Sequence, residues 1–593
     1  MRAVVLMFDT LCRRYLGPYG GTEIPTPGFD RLAEHSVRFD NCYAGSMPCM
    51  PARREMHTGR HNFLHRSWGP LEPFDDSVPS ILSAAGIHTH LSTDHYHYWE
   101  DGGATYHNRF DTYELFRGQE GDRWKGVVDP PAPPANLNPT TTVARQDWIN
   151  RTYMPTEDTH SQTATVDSGL EFIAVNARAD SWMLQIECFD PHEPFFTYPE
   201  YLAIAGVDTS EPIFDWPQYR RVTESMNEQE RLRRSYLALL AQCDRSVQRV
   251  LDAFDEHDLW SDTALIVCTD HGFLLGEHGW WGKTVQPFYD ETIHTPLFVW
   301  DPRSGERGSS REALVQTVDL GPTLLDVFDC PPTDRMQGHS LSAVITEDAP
   351  IRKGALFGVA GGHVNVTDGR YVYMRSCVRP ENSPLHEYTL MPTHMRGHFS
   401  AEELRAAELV EGFPFTRGIP VLRTPAWTVG NPFRFGTLLY DLELDPQQQR
   451  PLRDDDELEM TMIELMVELM RESEAPAEQY ERLGLPPTGP VTAEHVLISA
   501  QWNAVVRSTA SVPRKDDFAP DAPVAHAQLS ELLAHAPTAA VVESHFPFIS
   551  GLAPMMRERL IGAGIVELNG FTGSQDMDGL LAIDRELRSA LTT

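Results

Sequence analysis

Short apolar runs alternate with longer amphipathic patterns over the first 330 residues or so, and this alternation constrains the fold more than any other feature. The apolar runs that predict strands cover residues 3–8, 88–93, 181–189 and 263–269. The patterns that predict helices cover residues 76–85, 162–177, 228–257 and 318–328. Strands that alternate with helices predict an α/β domain with a largely parallel central sheet.

Polar residues follow three of these predicted strands directly. Asp9 follows the first strand, Asp190-Pro191-His192 the third and Asp270-His271 the fourth. In open α/β sheets, ligands bind at the carboxyl ends of the strands, so we expect these side chains to meet at one sheet edge. Carboxylates with an imidazole suit Ca²⁺, Mg²⁺ or Mn²⁺, and the lack of paired thiolates argues against structural zinc.

The pattern changes from about residue 354. Strand-like segments at 362–374 and 437–444 and a helical pattern at 453–474 predict a smaller antiparallel unit. We therefore divide the chain into a catalytic α/β domain at 1–353, an antiparallel subdomain with a helix at 354–475, and a linker with a C-terminal extension at 476–593. Proline-rich segments predict a linker at 474–492 and a surface insertion at 121–140.

The charge balance excludes several partners. The 593 residues contain 49 basic and 85 acidic side chains, for a net charge of −36. Such a surface repels nucleic acid and anionic membranes, and an anionic substrate would need a local cationic pocket. No apolar run approaches the roughly 18 residues of a membrane helix. The N-terminus reads as a core strand rather than a signal peptide, and eight scattered cysteines favour a reducing compartment, so we expect a cytoplasmic protein.

The motif with the most chemical content is Cys49-Met50-Pro51-Ala52-Arg53, which reads C-x-P-x-R and continues to Thr58-Gly59-Arg60. A lone cysteine is more often a small buried hydrophobe than a nucleophile. Arg53 should lie one helical turn beyond Cys49, on the same face. The motif alone therefore does not predict a catalytic cysteine, and residues elsewhere in the chain are needed to interpret it.

Together with Asp9 and with Thr269-Asp270-His271-Gly272 followed by Gly276-Glu277-His278-Gly279, the motif resembles that of the type I, formylglycine-dependent sulfatases of the alkaline phosphatase superfamily. The resemblance covers roughly residues 3–450. It implies a large parallel or mixed central sheet flanked by helices, with a smaller C-terminal antiparallel-sheet subdomain. It also implies that a formylglycine-generating enzyme oxidises Cys49 to formylglycine (3-oxoalanine). One hydroxyl of the hydrated aldehyde then attacks sulfur, and the other loses its proton to expel sulfate.

The resemblance implies roles for individual residues. The ligands of one divalent metal ion, Ca²⁺ or Mn²⁺, would be Asp9, Cys49, Asp270 and His271. Arg53 would hold the hydrated aldehyde and His192 would face the leaving oxygen. Lys283, in an aromatic and glycine-rich loop, would contact the sulfate. The expected reaction is hydrolysis of aryl or alkyl sulfates.

Two departures from the common sulfatase pattern leave alternatives open. This chain has Asp9-Thr10 where many sulfatases have two aspartates, which resembles phosphonate monoester and phosphodiester hydrolases that often use Mn²⁺. It also has Thr93-Asp94-His95-Tyr96-His97-Tyr98 where a Lys is usual, so we expect substrate contacts from Thr93, His95 and His97, on an extended segment. An inactive homologue that acts as a binding or scaffold protein is the alternative of another class.

Residues from about 490 to 593 match no sulfatase motif. They contain apolar runs at 539–542 and 546–549 and an amphipathic stretch at 555–565. Apolar surface on a terminal arm is more favourably buried than left in water. We expect this extension to serve assembly into a homo-oligomer rather than chemistry, and the alternative is an extension folded onto its own subunit.

Overall fold

The computed structural model describes residues 1–130, 142–551, 560 and 562–592. An eight-stranded sheet forms the centre of the first domain. Its strands, in chain order, are β1 Arg2–Phe8, β2 Val37–Phe39, β3 His88–Thr93, β4 Thr112–Leu115, β5 Trp182–Cys188, β6 Thr263–Thr269, β7 Leu297–Trp300 and β8 Ser309–Arg311. Their spatial order is β8-β2-β7-β6-β1-β5-β3-β4, and every neighbouring pair is parallel except the two that involve β7. The predicted α/β class with a mixed, largely parallel sheet is confirmed.

Burial on both faces explains why the central strands are continuous apolar runs. In β1, Val4, Leu6 and Phe8 pack into one hydrophobic cluster, whereas Ala3, Val5 and Met7 pack into another on the opposite face. Successive side chains of a strand point to opposite faces, so a sheet covered by helices on both sides has no polar face. The covering helices are α1 Pro27–His35, α2 Cys49–Thr58, α3 Val78–Ala84, α4 Ser161–Asn176, α5 Met226–Glu256 and α6 Leu320–Val327.

The strands and helices predicted for the first 330 residues all exist. Two strands, His88–Thr93 and Thr263–Thr269, have the predicted bounds, and the other elements are shifted by one or two residues. The start of α5 shows a physical reason for such a shift. The Ser225 hydroxyl accepts a hydrogen bond from the Glu228 amide at 3.2 Å, and the Ser225 amide donates to the Glu228 carboxylate at 2.8 Å. This capping box places the helix start two residues before the predicted position.

A five-stranded sheet takes four of its strands from residues 355–441 and the fifth from the segment just before Cys49. Its strands are Ser46–Met47, Ala355–Val359, Val364–Thr367, Tyr371–Arg375 and Leu438–Asp441. The pairs are antiparallel except that Ser46–Met47 runs parallel to Ala355–Val359. The segment immediately before Cys49 is therefore an edge strand of the C-terminal subdomain, and the helix Asp456–Glu472 packs on that sheet.

Part of the segment predicted as a linker at 474–492 is a packed helix. It contains the helix Ala477–Leu483, whose Tyr480 and Leu483 are buried in the same cluster as Met466. Pro476 is the N-cap residue of this helix and Pro486 follows it, so these prolines mark helix ends rather than a flexible link. The linker prediction therefore does not describe Ala477–Leu483, whereas residues 484–492 contain neither helix nor strand and the domain division stays a prediction.

The C-terminal extension folds into helices, which include Ile498–Thr509, Leu529–Ala534, Ala536–His545, Ile565–Thr572 and Met577–Leu591. Val542, Phe546 and Ile549, from the two apolar runs, are buried in one cluster with Ile583 and Leu587 of the same chain. These side chains are thus covered within the subunit, while assembly into an oligomer stays a prediction. The amphipathic stretch predicted at 555–565 lies largely outside the described residues, as does the second half of the insertion predicted at 121–140.

The described residues also form a two-stranded sheet, Cys42–Tyr43 with Val315–Gln316, and two three-stranded sheets. One consists of Arg220–Arg221, Leu274–Leu275 and Trp280–Gly282, and the other of His386–Thr389, Glu408–Val410 and Val421–Pro425. Among the helices of the described residues, none combines the length and the apolar character needed to cross a lipid bilayer.

Candidate active site

Three neighbouring strands deliver polar residues to one edge of the central sheet. β1 lies between β5 and β6, and its last residue, Phe8, is in register with Cys188 and with Thr269. The residues that follow, Asp9 and Asp270-His271, are therefore side by side, and all three are fully buried. The sequence-based expectation of a common sheet edge is confirmed for these residues.

Cys49 reaches this edge from the first position of α2. The loop before it is held by Glu55, whose carboxylate accepts hydrogen bonds from the Ser46 amide at 2.7 Å and from the Thr317 hydroxyl at 2.9 Å. His61 Nδ1 lies 2.9 Å from the same carboxylate. Both the pairing of Ser46–Met47 with the second domain and this buried carboxylate fix the position at which α2 begins.

Four potential metal ligands converge at this point. One donor atom from each of Asp9, Cys49, Asp270 and His271 lies within 4.8 Å of the others. The Cys49 Sγ atom is 3.4 Å from His271 Nε2 and 3.7 Å from Asp9 Oδ1. These are the four residues that the sequence indicated as ligands, and the tertiary structure brings all four together.

The protonation states of these groups suit a cation. His271 Nδ1 donates to the Gly272 carbonyl at 3.0 Å, so the lone pair of the neutral ring lies on Nε2, which faces Cys49. Burial lowers the pKa of His271 to about 3, which keeps the ring neutral. Burial and the neighbouring Asp9 raise the pKa of Asp270, although the nearby Arg53 and Lys283 oppose this shift. The donor set therefore fits a divalent metal ion with hard ligands.

Arg53 contacts two carboxylates of this group and the backbone of Cys49. Its guanidinium group contacts Asp9 at 3.0 Å and Asp270 at 2.8 Å, and it donates to the Cys49 carbonyl at 2.9 Å. Its Nε atom donates to Glu187 at 2.7 Å. Arg53 thus orients two carboxylates of the cluster and the first residue of α2. Contact of Arg53 with the hydrated aldehyde, which the resemblance implies, stays a prediction.

Lys283 brings a positive charge to the other side of Cys49. Its Nζ atom lies 3.4 Å from Cys49 Sγ, 3.0 Å from the Thr10 hydroxyl and 3.7 Å from Asp9 Oδ1. Burial opposes the charge, but the acidic groups of Cys49, Glu193 and Asp9 outweigh it and raise the pKa of Lys283 overall. Lys283 is therefore a cation held at the site, although it is 3% exposed.

His192 is buried beside this group, and its orientation is fixed locally. Its Nδ1 atom donates to the Glu193 carbonyl at 2.6 Å, and Phe189 packs against the ring at a centroid distance of 4.3 Å. Burial and the nearby Lys283 lower its pKa well below the usual range. The neutral ring therefore presents Nε2 as a proton acceptor.

The three predicted substrate contacts differ in their surroundings. His95 Nε2 lies 3.6 Å from Asp9 Oδ2, and both of its ring nitrogens are buried without a hydrogen-bond partner among the described residues. His97 pairs with Glu100 at 2.7 Å, and the Thr93 hydroxyl accepts from the His95 amide at 3.0 Å. The segment predicted to be extended turns into a 3₁₀ helix at Tyr96–Trp99, because the Tyr98 amide bonds back to the His95 carbonyl. This short turn, rather than strand alternation, decides where each side chain lies.

The second half of the glycine motif lies apart from the four ligands. His278 Nε2 is 3.2 Å from Glu291, and its ring stacks on Tyr289 at 3.6 Å. Glu277 accepts from Arg14 at 2.9 Å. These contacts stabilise the loop that leads to the strand before Lys283.

Sequence reasoning missed Thr10, Glu187 and the pair formed by Glu193 and Tyr219. Thr10 adopts a positive φ of 67° and donates to Asp9 at 2.7 Å. Glu187 is a charged residue inside the buried strand β5, and that mismatch with its apolar neighbours was an available signal. Glu193 accepts a hydrogen bond from the Tyr219 hydroxyl, and burial raises its pKa to about 7. Its position next to His192 was the only sequence clue.

Comparisons with known proteins agree with this geometry. A profile of the Sulfatase family matches residues 2–330. The chain is 24% identical over 378 residues to an arylsulfatase of Clostridium perfringens, in an alignment that covers 58% of this chain and 78% of the relative.

Two solved structures share the fold at 16% identity. One, determined in complex with its substrate D-glucosamine-2-N,6-O-disulfate, has a TM-score of 0.57, with 80% of this chain and 98% of the other covered. The other, a phosphonate monoester hydrolase of Agrobacterium radiobacter, has a TM-score of 0.56, with 84% and 96% covered. Since the family profile spans more than half of this chain and includes all the residues of the site, the chain belongs to the sulfatase family, a family of sulfuric ester hydrolases.

Proposed function

We propose that this protein hydrolyses sulfate monoesters, aryl or alkyl sulfates, to inorganic sulfate and an alcohol or phenol. The nucleophile would be a hydrated formylglycine formed from Cys49, and one Ca²⁺ or Mn²⁺ ion would bind at Asp9, Asp270, His271 and residue 49. The observation that carries the proposal is the position of Cys49 Sγ, which has His271 Nε2 at 3.4 Å, Lys283 Nζ at 3.4 Å and Asp9 Oδ1 at 3.7 Å.

In the mature enzyme, the Sγ atom stands for the oxygens of the hydrated aldehyde. A hydroxyl at this position would lie within reach of Asp9 Oδ1, which accepts its proton, and of the Lys283 ammonium, which donates to it. The bound divalent ion would lower the pKa of that hydroxyl and polarise the sulfate. Arg53 holds Asp9 and Asp270 in place through contacts of 3.0 and 2.8 Å.

The substrate anion would be stabilised by Lys283, the buried ammonium group in contact with Cys49. Nε2 of His192 would face the leaving oxygen, since its Nδ1 is engaged with the Glu193 carbonyl. Once protonated there, the ring would donate that proton to the departing oxygen and return to its neutral form. Of the predicted substrate contacts, the geometry supports His95 best, because its two ring nitrogens have no hydrogen-bond partner among the described residues. Thr93 would position His95 through its hydrogen bond to the His95 amide, and His97 is already paired with Glu100. These local cations would offset the repulsion expected from a net charge of −36.

The alternative is hydrolysis of phosphonate monoesters or phosphodiesters at the same site. The observation that favours it is Thr10, whose hydroxyl lies between Asp9 and Lys283 where many sulfatases have a second aspartate. One carboxylate fewer leaves the site less negative, which changes both the preferred metal ion and the substrate charge that the site tolerates.

Maturation would require a formylglycine-generating enzyme as partner. All eight cysteines are free thiols in the structure, and seven of them are buried. We propose a cytoplasmic location, in which the generating enzyme would oxidise Cys49 before the chain closes around it. Assembly into a homo-oligomer remains part of the proposal.

The test compares catalytic efficiency on 4-nitrophenyl sulfate and on a phenyl phosphonate ester, with protein matured by the generating enzyme and loaded with Ca²⁺ or Mn²⁺. Mass spectrometry of the Cys49 peptide reports conversion of the thiol to the aldehyde, and Cys49→Ala is the matched control. We expect sulfate turnover that depends on conversion and metal and is lost in the variant. Higher efficiency on the phosphonate would select the alternative. If converted, metal-loaded protein hydrolyses neither ester, the remaining alternative is an inactive homologue that acts as a binding or scaffold protein.

A further inference from the structure

A small sheet beside the site carries two of its contacts. Arg220–Arg221 pairs antiparallel with Trp280–Gly282, in the register Trp280 with Arg221 and Trp281 with Arg220. Lys283 follows this second strand directly, and Tyr219 precedes the first. The position of Arg220–Arg221 therefore affects both the ammonium group next to Cys49 and the hydroxyl that bonds to Glu193.

The C-terminal extension holds the outer side of this sheet. The Arg221 guanidinium donates to the Ser508 carbonyl at 2.6 Å and to the Ala510 carbonyl at 2.5 Å, while it lies over the Trp280 ring at 5.0 Å. The Lys515 amide donates to the Thr223 carbonyl at 2.9 Å. Backbone groups of the extension thus act as fixed acceptors and donors for the strand and for the residues after it.

A chain of buried charges continues from the extension to the strand that precedes Lys283. Lys515 Nζ lies 2.9 Å from Glu567, and Glu567 lies 3.9 Å from Arg220. Arg220 pairs with Glu224 at 2.7 Å, and Glu224 accepts a hydrogen bond from the Trp281 indole at 2.8 Å. Removing one member of such a network leaves the others buried and unpaired, so the network favours a single arrangement.

Close backbone approach shows that the two parts fit tightly. A Cβ atom at Gly570 would lie 3.0 Å from the Arg221 carbonyl oxygen and 3.0 Å from Thr223 Cγ2. An added Cβ atom would therefore push the helix and the strand apart by a few tenths of an ångström. Gly570 lies in the helix Ile565–Thr572, which therefore rests directly on the strand.

We propose that the C-terminal extension is a positioning element of the active site, which holds Arg220–Arg221 and through it sets the places of Lys283 and of the Tyr219–Glu193 pair. A strand of two residues at the edge of a three-stranded sheet makes few contacts of its own, and such segments open locally at low free-energy cost. The extension adds side-chain, backbone and charge contacts to that strand. This differs from the sequence-based expectation that the extension serves assembly rather than chemistry.

The consequence for catalysis follows from distance. A shift of about 1 Å in a group that contacts the reacting atoms can reduce the rate by about 100-fold. Loosening the small sheet would move Lys283 away from Cys49 without altering any residue that touches substrate. The proposal rests on the proposed function for its kinetic readout only, because the position of the sheet can be measured directly.

The experiment uses three variants of the full chain, matured and metal-loaded. Arg221→Gln removes the contacts to Ser508 and Ala510, and Gly570→Ala separates the helix from the strand without a change of charge. Arg588→Ala is the control, since Arg588 pairs with Asp521 and Asp584 inside the extension at 3.0 and 2.8 Å. Each is measured for amide hydrogen exchange in the peptide 274–284 and for kcat and KM on the ester that the parent hydrolyses.

We expect faster exchange in that peptide for the first two variants and kcat/KM lower by about 10- to 100-fold. We also expect weaker inhibition by inorganic sulfate, while the control matches the parent. Unchanged exchange, or faster exchange with unchanged kcat/KM, overturns the proposal. If the parent hydrolyses no ester, the proposed function fails, and the exchange measurement still decides whether the extension positions the sheet. Should Arg221→Gln not fold, Gly570→Ala gives the same decision.

Discussion

The Nζ atom of Lys283 lies 3.4 Å from the Sγ atom of Cys49, although 234 positions separate the two residues in the chain. Cys49 arrives at the start of a helix and Lys283 at the end of a short antiparallel strand. The contact thus joins the helix that begins at Cys49 to the small sheet that ends before Lys283. It places a cation beside the atom that would become the nucleophile, where negative charge develops during attack on an anionic ester.

Replacing Lys283 by Met should remove this charge with little change of side-chain length. We expect kcat/KM to fall by about 100- to 1,000-fold, in the range found when a donor to a developing charge is removed. Steady-state kinetics on the preferred ester measures the effect. Lys353→Met is the matched control, because Lys353 is exposed and pairs with Glu468 on the surface. Equal kinetics of the two variants would exclude a role for Lys283 in the chemical step.

Thr10 offers a test of metal preference. Its φ of 67° is unfavourable for a β-branched residue, whereas Asn and Asp tolerate this conformation. Thr10→Asn and Thr10→Asp should therefore both fold, and they differ only in one charge next to Asp9 and Lys283. We expect the Asp variant to bind Ca²⁺ about tenfold more tightly than the Asn variant, because ligand charge tunes calcium affinity. Calorimetric titration with Ca²⁺ gives both constants, and identical affinities would contradict the prediction.

Glu187 is predicted to stabilise the site through Arg53. Glu187→Gln keeps an acceptor for the Tyr98 hydroxyl at 2.9 Å but removes the charge that faces Arg53 at 2.7 Å. Because Arg53 keeps Asp9 and Asp270 as partners, the variant should lose one charge-assisted hydrogen bond, about 1.5–3 kcal/mol in the free energy of unfolding. Tyr98→Phe, which removes only a hydrogen bond, should cost about 1 kcal/mol. Urea unfolding of both variants distinguishes these losses, and similar values would show that the Glu187 charge does not stabilise the fold.

Glu193 should make stability depend on pH. Burial raises its pKa from 4.5 to about 7, so the folded chain binds a proton there more tightly than the unfolded chain does. The stability from this group is present below pH 4.5 and is lost as the pH rises to about 7, by up to about 3 kcal/mol. Glu193→Gln removes the titration. The free energy of unfolding at pH 5 and pH 8 should therefore fall more with pH in the parent than in the variant, and parallel pH profiles would refute this account.

Much of the fold followed from patterns that lie within short stretches of sequence. The strand Thr263–Thr269 has the bounds that were predicted, because burial on both faces requires a continuous apolar run. The position of Asp9, Asp270 and His271 at one sheet edge was predictable because these residues follow such runs. The C-x-P-x-R motif places Cys49 and Arg53 one helical turn apart, and the structure has them on one helix with a 2.9 Å contact.

The tertiary structure decided everything that depends on contacts between distant segments. Arg53 faces Glu187 across 134 positions, and Arg221 meets Ser508 across 287. No sequence periodicity or spacing identifies either pair, because a buried charged residue could pair with any of several distant residues. The sequence by itself determined which residues meet at the sheet edge, which of them are proposed as metal ligands, and the family resemblance. Only the folded chain determined which carboxylates hold Arg53 and that the C-terminal extension supports the strand next to Lys283, because both depend on how separate elements pack.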